Sequence, residues 1–309
     1  MRTRVFRPAS LAIALLTVAS LVLAACTPAA TPVPPTKAPE PTVAPTKPPE
    51  PTKAPEPTKP PTPVPPTATP APKTLLDIIK ARGVMKVSTD PNYKPQSFIN
   101  ETTKELDGFD IEVAKEVAKR LGVKAEFITP DWDIIVAANW GGRWDVSIGS
   151  MTITPARQKN MDFTDPYYYT SGQIFVKKGG AQIAGPDDLA GKSVGVGDGT
   201  TYYTWLKDNT TAKVGGYRTD LDAVPDLLNG NIEFWMTAGP TGQQAILEGK
   251  PIEFSGKPLY YEDLAMAIKK GETDLVALLD YTVQTMHENG ALTEMSKKWY
   301  NGIDLSVKE

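Results

Sequence analysis

The chain of 309 residues has one cysteine, Cys26, and one histidine, His287. A lone cysteine excludes an internal disulfide framework and any paired-cysteine motif. A lone histidine without ligating cysteines argues against a zinc centre. A Ser-His-Asp triad would have to use His287, which sits late in an apolar helical pattern beside Glu288. A solvated or capping role suits it better, and no serine lies in a nucleophile-elbow pattern. Dense basic runs are also missing: 33 Lys and Arg stand against 36 Asp and Glu, for a net charge of −3. That balance leaves no electrostatic footprint for nucleic acid. Two glycine-rich segments fall short of nucleotide motifs. Residues 185–193 (GPDDLAGKS) place five residues between the glycines where a P-loop needs four. Gly195-Val196-Gly197-Asp198-Gly199 is followed by Thr200, where a dinucleotide fingerprint needs its third glycine. A polar group or anion can still sit at the helix start that follows. No cofactor and no metal are expected.

What is present begins with a targeting segment. Arg2, Arg4 and Arg7 precede an apolar run over residues 11–23, broken only by Thr17 and Ser20. The run is too short for a comfortable span and reads as a secretory signal. It ends in Leu23-Ala24-Ala25-Cys26, which resembles the bacterial lipobox and implies lipidation at Cys26 and an extracytoplasmic protein anchored to the cell membrane. Two or three acyl chains would hold it there, where one binds only marginally. Residues 26–73 then form a Pro/Thr-rich linker with a repeated TKAPEPT or TKPPEPT unit at 36–42, 46–52 and 52–58. It has almost no large apolar side chains to offset chain entropy, so it is expected not to pack. As an extended polyproline spacer it would reach about 140 Å.

The remainder, residues 74–309, alternates strand and helix patterns. Strands are expected at 84–88, 125–128, 146–149, 174–177, 193–196, 232–236 and 264–268. Residues 108–121 carry Ile111, Ala114, Val117, Ala118 and Leu121 on one helical face, with Glu116 and Arg120 paired at i, i+4. Leu275, Leu278, Leu279, Val283 and Met286 form a second stripe, and Gly290 can close that helix. The alternation predicts an α/β fold.

From Thr74 onward the chain resembles the family 3 bacterial extracellular solute-binding proteins, the polar amino-acid class. The resemblance rests on Gly108-Phe109-Asp110-Ile111-Glu112-Val113-Ala114-Lys115-Glu116-Val117-Ala118. Further landmarks stand in order: Asp90-Pro91-Asn92-Tyr93, Ser150-Met151-Thr152 with Arg157, Phe163-Thr164-Asp165-Pro166-Tyr167, Asp188-Leu189-Ala190-Gly191-Lys192, Gly199-Thr200-Thr201 and Lys298-Trp299-Tyr300. The resemblance implies the two-lobed (type II) periplasmic-binding-protein fold, its lobes joined by two crossing strands. It puts one lobe at 74–170 plus 264–309 and the other at 171–263. The implied function is the receptor of an ABC importer, working with separate permease and ATPase subunits. It would close as a monomer on a small polar carboxylate, an amino acid or a derivative. Two rivals stand beside this reading. Cyclohexadienyl dehydratases share the fold, although no catalytic acid or base is marked by spacing here, so no enzyme activity is expected. A ligand-sensing receptor would need a separate signalling partner.

Read on its own chemistry, Arg157 fits a solvated loop or a carboxylate site, since a guanidinium presents a planar fork to a carboxylate. The resemblance favours the carboxylate, with Ser150 and Thr152 as further donors. It also implies aromatic clamps at Tyr93 and Trp132, and contacts from Asp90, Asp198, Gly199, Thr200, Thr201 and Thr237. Thr200 or Thr201 reads equally well as a plain helix cap. One departure stands out. Many relatives hold the ligand's α-ammonium with an aspartate two residues before a proline; here that position is Ala238, before Pro240. A buried ammonium without an anionic partner is costly. Either another acid compensates, with Asp90, Asp198, Glu262 and Asp263 as candidates, or standard amino acids bind weakly.

Overall fold

The computed structural model describes residues 73–308. The signal segment, Cys26 and the linker up to residue 72 lie outside the described residues. The first half runs α1 (Leu75–Arg82), β1 (Val84–Ser88), β2 (Asn92–Tyr93), β3 (Ser97–Ile99), β4 (Leu106–Asp107), α2 (Phe109–Arg120), β5 (Lys124–Ile128), α3 (Trp132–Val136), β6 (Val146–Thr152), α4 (Pro155–Gln158), β7 (Met161–Phe163) and β8 (Tyr168–Lys177). It continues through β9 (Ser193–Gly197), α5 (Thr201–Asn209), β10 (Lys213–Tyr217), α6 (Val224–Asn229), β11 (Phe234–Ala238), α7 (Gly239–Leu247), β12 (Ile252–Lys269), α8 (Thr273–Glu288) and α9 (Ala291–Trp299). Short 3-10 turns at Pro186–Leu189 and Asp220–Ala223 complete it.

The nine-stranded sheet is ordered β10-β9-β11-β8-β12-β6-β1-β5, with β7 paired to β12. Each end is parallel, β1 with β5 and β6, and β9 with β10 and β11. The two long central strands, β8 and β12, run antiparallel to each other and to their other neighbours. They are the crossing strands, and they tie two α/β lobes together. Parallel neighbours need helical crossovers, and those crossovers put a helix layer over each half.

Each lobe has its own core. Met85, Val87, Phe109, Val113, Val117, Ile148, Leu264, Met266, Leu279 and Val283 are buried together in one. Ile174, Val176, Val194, Val196, Leu206, Phe234 and Met236 are buried together in the other. Full burial of each such side chain contributes about 1.5–3 kcal/mol. Helix α2 follows from its sequence. Phe109, Val113, Ala114, Val117 and Ala118 face the core, while Glu116 accepts a 2.8 Å bond from Arg120 Nε on the outer side. The helix starts at Gly108 with φ 122°, where an added Cβ would lie 2.4 Å from the Gln96 carbonyl oxygen. Only glycine fits there.

Most expected strands match in place but not in length. β8 begins at Tyr168 rather than 174, and β12 begins at Ile252 rather than 264. The added parts carry Thr170, Ser171, Gln173, Gly256, Lys257 and Pro258, polar or strand-breaking residues that hide a strand pattern. The β8–β12 register shifts between Ser255 and Tyr260, at the segment with Gly256 and Pro258. Among the described residues no helix is long and apolar enough to cross a membrane.

Candidate ligand-binding cleft

The strand ends that meet beside the crossing strands form a cleft. One wall carries Asp90, Tyr93, Trp132, Ser150, Thr152 and Arg157. The other carries Asp198, Thr200, Thr201, Tyr202, Arg218 and Asp220. β1 ends into the loop of Asp90, and β6 ends at Thr152. β9 ends into the Gly197–Thr201 turn. Loops at the carboxyl ends of parallel strands are where open α/β sheets place ligands.

Arg157 is set by local structure. Thr154 caps α4 and accepts the Arg157 backbone N–H at 3.2 Å, with Pro155 at the first turn. The guanidinium lies with its carbon 5.4 Å from the centre of the Trp132 ring. Nη1 donates to the Thr152 carbonyl at 3.0 Å, and Nη2 donates to the Gly199 carbonyl at 3.3 Å. Burial lowers its pKa while the charge of Glu262 raises it, so Glu262 is the acid facing this cation. Two of five N–H donors are used, which leaves a face of the fork for a ligand oxygen.

Ser150 is engaged from behind. Its backbone has φ 57°, a conformation serine rarely adopts. The hydroxyl donates to Asp110 Oδ2 at 2.7 Å and accepts from Tyr168 at 2.6 Å. Its N–H donates to the Tyr167 hydroxyl at 2.9 Å, and that hydroxyl donates to Asp110 Oδ1 at 2.6 Å. Thr152 donates its proton to Glu262 Oε1 at 3.0 Å. Both hydroxyls expected as donors therefore have their protons committed to buried carboxylates in this arrangement.

On the facing wall, Thr200 caps α5: its Oγ1 accepts the Tyr203 N–H at 3.1 Å and donates to the Gly197 carbonyl at 2.7 Å. Thr201 donates to Glu262 Oε1. Gly199, at φ 70°, contributes the carbonyl that meets Arg157. Asp198 is exposed at the rim, and its carboxylate occupies the space over Gly216. Tyr93 and Tyr202 approach across the cleft with hydroxyls 3.5 Å apart. Asp90 Oδ1 accepts the backbone and side-chain N–H groups of Asn92, both at 2.9 Å; burial raises its pKa. Thr237 does not line the cleft. It is buried behind it, donating to Asp220 Oδ2 at 2.9 Å.

Asp220, like Tyr202 and Arg218, lines the cleft without having been singled out in the sequence. It is buried on the cleft wall, with Oδ1 accepting the Gly197 N–H at 3.0 Å. Burial pushes its pKa up to about 7, and the nearby acids Asp90 and Glu262 add to that rise. Ala238 is buried on the same lobe, one residue after Thr237. In sequence, Asp220 sits in Thr219-Asp220-Leu221-Asp222, which reads as a helix start, and Thr219 does form a capping box with Asp222. No local signal separated a cleft acid from a cap. Among the acids weighed for the ammonium, Asp263 is bonded to Lys308 instead, at 2.8 Å. Among the described residues no group of His, Cys, Asp and Glu is arranged to hold a metal ion. His287 bonds to the Pro166 carbonyl at 2.9 Å.

The model of the bacterial extracellular solute-binding proteins, family 3, matches residues 85–302. The L-cystine-binding protein TcyJ of Escherichia coli strain K12 is 34% identical over 239 residues, covering 76% of this chain and 89% of that protein. A mutant of the Thermotoga maritima protein ArgBP superposes with a TM-score of 0.69 at 28% identity, covering 74% of this chain and 99% of that one. An ancestral amino acid-binding protein, a precursor of cyclohexadienyl dehydratase, gives 0.68 at 33% identity, covering 73% and 99%. The chain belongs to the bacterial extracellular solute-binding proteins, family 3.

Proposed function

We propose that this receptor captures an α-amino acid between its lobes for an ABC importer, with the ligand carboxylate on Arg157 and its ammonium on Asp220. The observation that carries this is a half-buried guanidinium and a buried carboxyl on facing walls of one cleft. Asp220 is pre-oriented by Thr237 and Gly197, one bond to each oxygen, so lone pairs remain for an incoming N–H. It would take over the work done in many relatives by an acid at position 238. An ammonium beside Asp220 would hold that carboxylate ionised, and the salt bridge would offset its desolvation. Tyr93, Trp132 and Tyr202 would close over the ligand. Lobe 1 would comprise 74–170 and 264–309, and lobe 2 171–263. The protein would act as a monomer, held to the membrane by lipid on Cys26 and spaced from it by the Pro/Thr-rich segment. Binding without chemistry is the reading for the cleft.

The test is calorimetry of the mature protein with standard amino acids, then with the N-acetyl and deamino analogues of the tightest binder. Wild type should prefer the free amine. Asp220→Asn should weaken the free amino acid by roughly thirty-fold, since truncating one partner of a buried charge pair costs about 2–5 kcal/mol. Ala238→Asp added to that variant should restore much of the loss. Unchanged affinity in Asp220→Asn would rule out Asp220 as the ammonium partner.

A further inference from the structure

Polar bonds from two residues stitch the same two segments together. One segment is the end of β6 at Thr152, on one side of the crossing strands. The other is the turn Gly199–Thr201 that opens α5, on the far side. Arg157, just beyond β6, reaches both: it donates to the Thr152 carbonyl at 3.0 Å and to the Gly199 carbonyl at 3.3 Å. Glu262 reaches both as well. Its Oε1 accepts the Thr152 hydroxyl at 3.0 Å and also the Thr201 hydroxyl.

Glu262 stands where β12 passes between the lobes. From Leu264 onward β12 pairs with β6, and Leu264 is the register partner of Thr152 itself. Before that β12 pairs with β8, with Glu262 opposite Thr170. A carboxyl only 3% exposed in such a strand is costly unless hydrogen bonds offset its burial. The two bonds it accepts come from opposite sides of the hinge, so both are made only when the lobes are together. Burial raises its pKa, yet the bridge does not depend on its charge, because a carboxyl oxygen can accept two hydrogen bonds in either state. Thr200 already caps α5, which leaves the Thr201 hydroxyl free of that duty.

We infer that Glu262 is a positioning residue for closure: one carboxyl oxygen on the crossing strand holds Thr152 and Thr201 together and so sets the Gly199–Thr201 turn against Arg157. This goes beyond the amino-acid reading above and does not depend on which ligand the cleft takes. Opening the lobes leaves one hydroxyl or the other without its acceptor, so the bridge favours the closed arrangement. Unlike the rim pairs between the lobes it is buried, and salt screens it little. The same two bonds turn the Thr152 and Thr201 hydroxyl protons toward Glu262 and away from the cleft that both residues line.

The test reads lobe separation in the whole protein without added ligand. Fluorophores at Lys159, just past Arg157, and at Lys207, on α5, report it by single-molecule energy transfer; both positions are exposed. The wild-type protein should show a minor closed population in exchange with an open one. Glu262→Leu, similar in volume but without an acceptor, should lower the closed-to-open ratio roughly ten-fold, as the loss of one or two net hydrogen bonds does. Glu262→Gln keeps an acceptor oxygen and should hold the ratio within about three-fold of wild type. Thr201→Val should lower the ratio in the wild-type background and change nothing further in Glu262→Leu, because both remove the same bond. Thr201→Val alone decides the matter if Glu262→Leu folds poorly. A residue that served stability alone would lower the melting temperature of its variants and leave the distribution of separations unchanged. That outcome, or a wild-type protein with no closed population, would overturn the inference and leave the amino-acid reading, tested by calorimetry with ligand, standing.

Discussion

Asp110 sits two residues into α2, fully buried, taking one proton each from Ser150 and Tyr167. Burial lifts its pKa from 3.8 to about 7. A carboxyl raised in the folded state binds its proton more tightly there than in the unfolded chain. Its contribution to stability is therefore complete below about pH 4 and is lost as pH rises through about 7. A shift of this size corresponds to on the order of 4 kcal/mol across that window. Asp220, raised to a similar value, loses stability over the same range. Asp110→Asn should flatten part of the fall in melting temperature between about pH 4 and pH 8, the remainder coming from Asp220 and the other carboxyls that burial raises, Asp90, Glu262 and Asp280. An unchanged slope in thermal melts across that range would show that Asp110 does not titrate there. This pair also marks what a sequence yields at the level of single residues. Arg157 was legible because a guanidinium in a Ser/Thr-rich turn and a family landmark pointed the same way. Asp220 was not, since Thr219-Asp220-Leu221-Asp222 is satisfied as a helix start and only the fold brings its carboxylate beside Gly197 and Thr237. Ser150 and Thr152 were found, but the direction of their hydroxyls depends on buried partners far away in sequence.

At the scale of elements, α2 was readable to within a residue because its apolar period, its flanking glycine and its ion pair agree. Gly108 carries the most constraint. Its φ of 122° and the Gln96 carbonyl 2.4 Å from any added Cβ mean that alanine must either clash or move the chain. Moving it would disturb the bonds from Phe109 and Asp110 N–H to the Pro95 and Gln96 carbonyls, at 3.2 and 2.8 Å. Gly108→Ala should cost at least about 2 kcal/mol in denaturant unfolding, well above the few tenths expected for alanine at a compatible glycine site. A change below about 0.5 kcal/mol would mean that the loop yields freely. The crossing strands were the least legible elements. β12 is the longest strand, yet it carries Lys257 and Pro258 and has exposed Tyr261 next to buried Glu262. Its first part, residues 252–263, mixes buried and exposed positions, so it lacks the continuous buried apolar run of its last part, residues 264–268, which alone reads as a strand. Two lobes fit the order of strands and helices, but that order could not place the residues that join them; the boundaries at 170/171 and 263/264 came from the resemblance alone.

At the scale of the whole molecule, the lobes touch directly as well as through β8 and β12. Lys94 pairs with Glu248, and Arg218 with Asp131 at 3.1 Å. The Thr241 hydroxyl donates to Gln96 Oε1 at 3.3 Å. These bonds exist only when the lobes are together, so they favour the closed arrangement independently of any ligand. Their strength sets how far they can do so. Pairs as exposed as Lys94 and Glu248 contribute about 0–1 kcal/mol each and weaken with salt. A ligand that bridges a half-buried guanidinium and a buried carboxyl supplies several times that, so closure should be driven mainly by the ligand, with the rim pairs as a small bias. Lys94→Ala should therefore weaken ligand affinity by no more than about five-fold. Its effect should vanish when Glu248→Ala is already present, because the pair acts as a unit in a double-mutant cycle. It should also fade at about 1 M salt, where the screening length falls to about 3 Å. Calorimetry of the four proteins checks this. A loss greater than about ten-fold in Lys94→Ala that persists in the Glu248→Ala background would mean that Lys94 acts through something other than this pair.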